Sequence, residues 1–207
     1  MIGKSWGQGA QHSQGLYPFF MNVPGFKVVA PTNPHDAKGC LIEAIRDNNP
    51  VMYMEHRLLH FQTGPVEENL FTVAPGKARI TRYGSDITLV GISYMQTECL
   101  RAAKYLEQVG VNAEVIDPIW LQPLDLDTIT TSVSKTKRLC VVDNGWTTCG
   151  AGSEIVSSVS EKLSRLTQIH TRRLGFAPTT CPPTPALEDI YYPNAQTIAS
   201  DAYDLVT

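Results

Sequence analysis

Runs of like charge are missing from this 207-residue chain. Seventeen Lys and Arg against twenty Asp and Glu give a formal net charge of -3. That balance excludes the electrostatic footprint of a nucleic-acid binder or a protein held to an anionic membrane surface. Long apolar runs are missing too. The stretch ITLVGI at 87–92 is strand-sized, far short of the roughly 20 residues a spanning helix needs. The first nine residues, MIGKSWGQG, hold no apolar core of a signal peptide, so no leader is expected. No C-x-x-C pair occurs, and the five cysteines (Cys40, Cys99, Cys140, Cys149, Cys181) are odd in number. Such a set suits unpaired thiols in a reducing compartment better than a disulfide framework or a zinc site. Repeats and low-complexity tracts are also absent. With 43 % hydrophobic residues, the chain reads as a soluble, cytoplasmic globular protein with no nucleic-acid or membrane partner.

What is present divides into two blocks. In the first, FKVVAP at 26–31 is an extended run, and TNPHDAKGCLIEAIRDNNP leads from it to a second extended run, VMYME at 51–55. Asn33 stands as an N-cap, with Pro34 at the first helical position and Asp36 in the first turn, where the helix dipole favours an anion. Ala37, Cys40, Leu41, Ala44 and Ile45 follow at helical spacing and form one apolar stripe. Strand, helix and strand with short joints make a βαβ unit and call for a parallel sheet with a right-handed crossover. Two parallel strands do not close a core, so residues 1–60 read as the back half of a larger domain.

Residues 61–75, rich in Gly, Pro and acids, read as a linker. Residues 76–207 then alternate strand and helix as a doubly wound α/β domain. Strand ITLVGIS leads to a capping box expected from Ser93 to Gln96, and the helix after it stops at Gly110. AEVIDPI is the next strand, and Leu126, Ile129 and Val133 give the next helix its buried face. RLCVVD runs through a glycine-rich loop into a helix carrying Ile155, Val159 and Leu163. IHTRRLGF is a further strand, with Arg173 expected at a sheet edge. Ile198, Ala202 and Leu205 mark the last helix.

Three places carry chemistry. His12, in GQGAQHSQG at 7–15, sits among glycines that let the backbone approach another group closely. Its imidazole can shuttle a proton or donate to a developing oxyanion, or it can simply bond a helix end. The helix exit AIRDNNP gathers unpaired carbonyls and the Asp47 charge, oxygens that suit a hard cation, although an ordinary solvated turn satisfies the same spacing. The loop NGWTTCGAGSE at 144–154 lacks the third glycine of a dinucleotide fingerprint and puts Glu154 in the first helical turn, so it reads as structural. His56 and His60 have metal-pair spacing but follow a strand and lack H-E-x-x-H order.

Laid end to end, GAQHSQ, PGFKVVAPTNPHDAKG, AIRDNNPVMYMEHRLL, GSDITLVGISYM and NAEVIDPIWLQPLD resemble the β subunit of the thiamine-diphosphate-dependent decarboxylating component of 2-oxo acid dehydrogenases, in the transketolase superfamily. The resemblance implies a partial pyrimidine-binding domain followed by a transketolase C-terminal domain. It implies an α-subunit partner that supplies the diphosphate and magnesium site, a second β subunit, and docking to an acyltransferase core. It makes His12 the catalytic histidine that faces substrate, and it carries a structural potassium site onto Ala44, Ile45, Asp47 and Asn49. The family's cofactor-activating glutamate falls upstream of this chain's matching region. Glu43 and Glu55, the only glutamates before the linker, do not stand at its position, so the chain by itself is expected to be inactive. A non-catalytic assembly or docking module is the alternative.

Overall fold

The computed structural model of the chain describes every residue except Ser5. Two four-residue helices, α1 (Gly9–His12) and α2 (Pro18–Met21), precede β1 (Lys27–Val29), α3 (Pro34–Arg46) and β2 (Val51–Tyr53). A 3-10 turn (Arg57–Phe61) and an irregular stretch lead to β3 (Arg79–Arg82), β4 (Ile87–Gly91), α4 (Met95–Gln108), β5 (Ala113–Asp117) and β6 (Trp120–Gln122). Then come α5 (Leu126–Thr136), β7 (Arg138–Trp146), α6 (Ala151–Leu163), β8 (His170–Phe176), α7 (Pro185–Tyr191) and α8 (Ala195–Val206). The fold is α/β, with one sheet ordered β2-β1-β6 and another ordered β3-β5-β4-β7-β8.

The larger sheet is parallel from β5 through β8, with β3 antiparallel on its far edge. Neighbouring residues of a strand point to opposite faces, so the two sides have separate packing partners. Leu89, Val115 and Val142 pack with α4 and α8 through Cys99, Leu106, Ile198 and Ala202. Val90, Ile116 and Val141 pack with α5 and α6 through Ile129, Val133, Ile155 and Val159. On α5, α6 and α8 the helix faces expected from spacing are the faces turned into these clusters. Gly110 ends α4 at φ +80, in the left-handed region glycine enters without a Cβ clash. Arg173 lies on edge strand β8 and donates to the Thr147 carbonyl at 2.9 Å.

The βαβ unit forms as the spacing predicts. Asn33 accepts from the Asp36 amide at 2.9 Å, and β1 pairs parallel with β2 in the register Lys27 to Val51. It is not a lone unit, however. The run AEVIDPI, expected as one strand, breaks after Asp117, and Trp120–Gln122 leaves the large sheet to pair antiparallel with β1. The break is made at Ile119, whose φ of +57 is rare for a β-branched residue. Ile119 donates from its amide to Asp117 at 3.0 Å and accepts from the Ala30 amide at 2.9 Å. The Thr32 hydroxyl also donates to Asp117. These bonds, and burial of the side chain, hold a conformation that sequence spacing does not suggest.

Other differences have equally local causes. Ser93 sits at φ +55 and caps nothing; α4 starts at Met95, and Gln96 donates to Thr81 Oγ1 at 2.6 Å instead of closing a capping box. On α3, Cys40 is buried but Leu41 and Ile45 remain 47 % and 75 % exposed. Residues 62–75 form no regular element, yet they are pinned. Lys38 Nζ donates to the carbonyls of Glu67, Glu68 and Asn69, and Phe71 stacks on His35 with centroids 4.4 Å apart. Gly39 permits this contact, because a Cβ there would lie 2.6 Å from Val73 and 2.7 Å from Phe71. The spacing also missed β3, whose sequence RITR carries two arginines, and α7, hidden in the proline-rich crossing.

Two polar groups join the sheets. Arg79 clasps the buried Asp36 carboxylate with two bonds of 2.6 Å. His56 is fully buried, accepts from the Leu58 amide at 3.2 Å and stacks on Tyr94, so it is no metal ligand partner for the half-exposed His60. Truncating Arg79 (Arg79→Met) is expected to destabilise the chain by about 2 kcal/mol, less than the ~3–5 kcal/mol of a fully buried pair because the guanidinium keeps some water. Adding Asp36→Asn should recover most of that loss in urea titrations. Burial pushes the His56 pKa from 6.5 down to about 3. The unfolded chain therefore binds the proton first, and stability full above pH 6.5 falls as pH drops toward 3. Relative to His56→Phe, the wild-type chain should lose up to roughly 1.4 kcal/mol per pH unit between pH 6 and 4, read from urea midpoints.

Candidate functional site

Strand order reverses beside β4: the chain goes from β4 to β5 on one side, then to β7 on the other. In open α/β sheets the crevice beyond the strand ends at such a point is the usual ligand site. Here the first block fills it. Gly15 runs so close to the Asn144 carbonyl that any Cβ would overlap it. The Tyr17 hydroxyl donates to Asp143, and Asn144 Nδ2 donates to the Ile92 carbonyl at 2.6 Å. Asp143 also accepts from the Gly152 amide at 3.0 Å, in the first turn of α6. Burial pushes its carboxyl pKa up to about 7, against the pull of the Gly152, Asn144 and Ala151 amides. The helix end at the 144–154 loop is thus occupied from within by a carboxyl group of the chain.

His12 lies just outside this seam, at the end of α1, with its ring exposed and bonded to no described residue. The loop that carries it is held from two sides, at His12 itself and at Gly7. Arg57 Nη1 donates to the His12 carbonyl and, at 3.3 Å, to that of Gly3. On the other side the Gly7 amide donates to Glu188 Oε2 at 3.1 Å. Gly7, at φ +79, passes so near the Pro183 carbonyl that a Cβ would stand 2.5 Å from it. Sequence reasoning missed the supports behind this turn. Ser13, Cys181, Glu188, Tyr191 and Tyr192 are all buried there, with Cys181 Sγ 3.4 Å from the Tyr192 hydroxyl. All but Ser13 come from the far end of the chain, and no spacing links those four to position 12.

The α3 exit holds Ala44, Ile45, Asp47 and Asn49 some distance along the chain from His12, and among the described residues no hydrogen bond or ion pair joins the two places. Asp47 does not offer a free charge. Lys27 binds its carboxylate, and the Asn49 amide and Nδ2 donate to it at 2.9 and 3.1 Å. The Lys27 hydrogen bond, first among these, holds the Asp47 pKa down to about 2. A cation there would meet main-chain carbonyls, with an ammonium close by.

Among the described residues no group of three or more His, Cys, Asp or Glu is placed to hold a metal ion. A cleft of about 1100 Å³ lies between α2 and α6, lined by Leu16, Phe19, Trp146, Cys149 and Glu154 among others. Its acidic Glu154, and the α6 amide already given to Asp143, suit a diphosphate poorly. The described residues therefore do not fit the diphosphate and magnesium of a thiamine cofactor. No described helix is long and apolar enough to cross a membrane.

Comparison with known proteins adds identity to this geometry. The family described as "Transketolase, C-terminal domain" matches residues 76–198, and "Transketolase, pyrimidine binding domain" matches residues 4–61. The Bacillus subtilis protein named acetoin:2,6-dichlorophenolindophenol oxidoreductase subunit beta is 41 % identical over 197 residues, 95 % of this chain and 58 % of that protein. A mitochondrial pyruvate dehydrogenase E1 component subunit beta from Dictyostelium discoideum is 37 % identical over 198 residues, 94 % of this chain and 56 % of its own length. The chain thus spans a little under three fifths (58 % and 56 %) of these two relatives. A solved structure named "Split gene transketolase, inactive beta4 tetramer" superposes with a TM-score of 0.76 at 24 % identity, covering 96 % of this chain and 64 % of that one, a likeness of fold. The chain belongs to the transketolase family, whose C-terminal domain it carries together with a stretch of the pyrimidine-binding domain.

Proposed function

We propose that the chain is part of a β subunit of a thiamine-diphosphate-dependent enzyme that oxidatively decarboxylates a 2-oxo acid and passes the product to a lipoyl group. Residues 1–60 serve as the back of its pyrimidine-binding domain, 61–75 as the connection and 76–207 as the C-terminal domain. The observation that carries the reading is His12: an exposed imidazole on a turn whose backbone is bonded from both sides. A ring so placed can donate a hydrogen bond or proton to the substrate's carbonyl oxygen as charge develops there, without first paying to order its own backbone.

Because the described residues do not fit the diphosphate and magnesium, holding the cofactor falls to an α subunit, and no step through it is assigned to this chain. A second β subunit and an acyltransferase core complete the expected assembly. The carbonyls of Ala44, Ile45, Asp47 and Asn49 are the proposed potassium contacts. Five unpaired thiols support a reducing compartment, the cytoplasm. The same lack of cofactor contacts favours a second reading, a non-catalytic module for assembly or docking.

The chain with thiamine diphosphate, magnesium and pyruvate should release no carbon dioxide. Adding the α subunit of the Dictyostelium discoideum pyruvate dehydrogenase E1 component and the part of its β subunit that this chain does not match should restore turnover. His12→Ala should then lower kcat by about 100-fold or more, with a smaller change in KM. Turnover unchanged by His12→Ala would leave the module reading in place.

A further inference from the structure

Buried carboxylates in this chain are answered almost everywhere. Asp36 meets Arg79, Glu98 meets Arg101 and Glu114 meets Lys135, each within 2.7 Å. Asp117 and Asp143 have no such partner, but each engages both oxygens, one with a hydroxyl and one with a main-chain amide. Glu188 of α7 is the exception. It is 3 % exposed, and among the described residues no Lys, Arg or His comes within ion-pair distance of it. Its Oε2 accepts from the Gly7 amide at 3.1 Å, while its Oε1 is buried and bonded to no described residue. A buried charge with neither a counter-charge nor its full set of hydrogen bonds is costly enough to imply a partner.

The atoms gathered near that carboxylate are oxygens as well. Gln8 follows Gly7 and stands at the start of α1, where its side chain caps nothing; its Oε1 is buried without a described partner. Ser13 closes the other end of α1 and is fully buried, and its Oγ makes no hydrogen bond of good geometry among the described residues. The Ser13 hydroxyl and the Glu188 charge both bear on the Tyr192 phenol, which brings the end of α1 and α7 to one place. The Tyr191 hydroxyl, unpartnered too, is turned to Trp146 instead. Lys4 does not answer Glu188: its Nζ bonds Asp189 at 2.6 Å and stands 5.8 Å from the centre of the Tyr192 ring. Acceptor oxygens with one negative charge among them suit a hard cation, not an anion or a soft metal. A single carboxylate balances a single positive charge.

We propose that the buried oxygens behind the His12 turn, Glu188 Oε1, Gln8 Oε1 and Ser13 Oγ, bind a monovalent alkali cation. The ion ties both ends of α1 to α7, and so joins the start of the chain to its far end. The site is separate from the α3 exit, and it does not depend on the chemistry assigned to His12.

Crystals of the full chain soaked in thallium(I) acetate should show an anomalous peak bonded to these three oxygens. In solution, about 100 mM potassium or sodium chloride should raise the Tm by about 3 °C over choline chloride at equal ionic strength. Glu188→Gln keeps an acceptor for the Gly7 amide but removes the charge. Its Tm should match or exceed that of the wild-type chain in choline chloride, and its gain from the alkali salts should fall at least twofold. Ser13→Ala should reduce that gain in the same sense. A glutamate that only packs would lower the Tm of the Gln variant equally in all three salts. That result would overturn the inference, as would a thallium peak confined to the α3 exit, no peak at all, or Lys4 Nζ found on Glu188. If neither variant folds, the thallium map of the wild-type chain decides.

Discussion

Everything in the first block depends on three residues of the second. Trp120, Leu121 and Gln122 leave the large sheet, cross a left-handed turn at Ile119 and hydrogen-bond antiparallel to β1. Without that strand, β1 and β2 would be two parallel strands with an open edge on each side, an arrangement that does not close a core. With it, Val28, Ala30, Met54 and Leu121 join Val90, Ile116 and Val141 in one continuous cluster. The two sheets therefore share a core although each has its own helices.

That shared core needs polar connections, because the strand crossing buries carboxylates. Asp36 and Asp117 both lie at the seam, and burial raises the Asp117 pKa to about 7 while the Thr32 hydroxyl and the Ile119 amide hold it back. Arg79 balances the pair from the edge strand β3, which explains why so short a strand of charged residues is part of the sheet. On the opposite side, Tyr17 and Gly15 close the switch-point crevice against Asp143 and Asn144. A location that many α/β proteins reserve for a ligand is here an internal joint.

The joint explains the setting of His12. The turn carrying it is trapped between Arg57, just after β2, and the α7 region, near the end of the chain. Its ring faces outward while its backbone belongs to both blocks.

How much could be seen beforehand follows the range of each interaction. The helix starting at Asn33, its Pro34 and Asp36, the stop at Gly110 and the buried faces of α4 to α6 depend on residues within one or two turns, so periodicity and capping reveal them. His12 stood out because glycines flank it in sequence. The failures all involve partners distant along the chain. The box expected at Ser93 gave way to Thr81, the Asp47 charge to Lys27, and the exposure of Leu41 and Ile45 follows from which faces the sheet and linker occupy. By itself the sequence determined most of the strands and helices, though not β3, β6 or α7, and which side of most helices is apolar, because these are set by local sterics and spacing. Only the tertiary structure decided that β6 would leave one sheet to complete the other, since that depends on hydrogen bonds between residues some ninety positions apart.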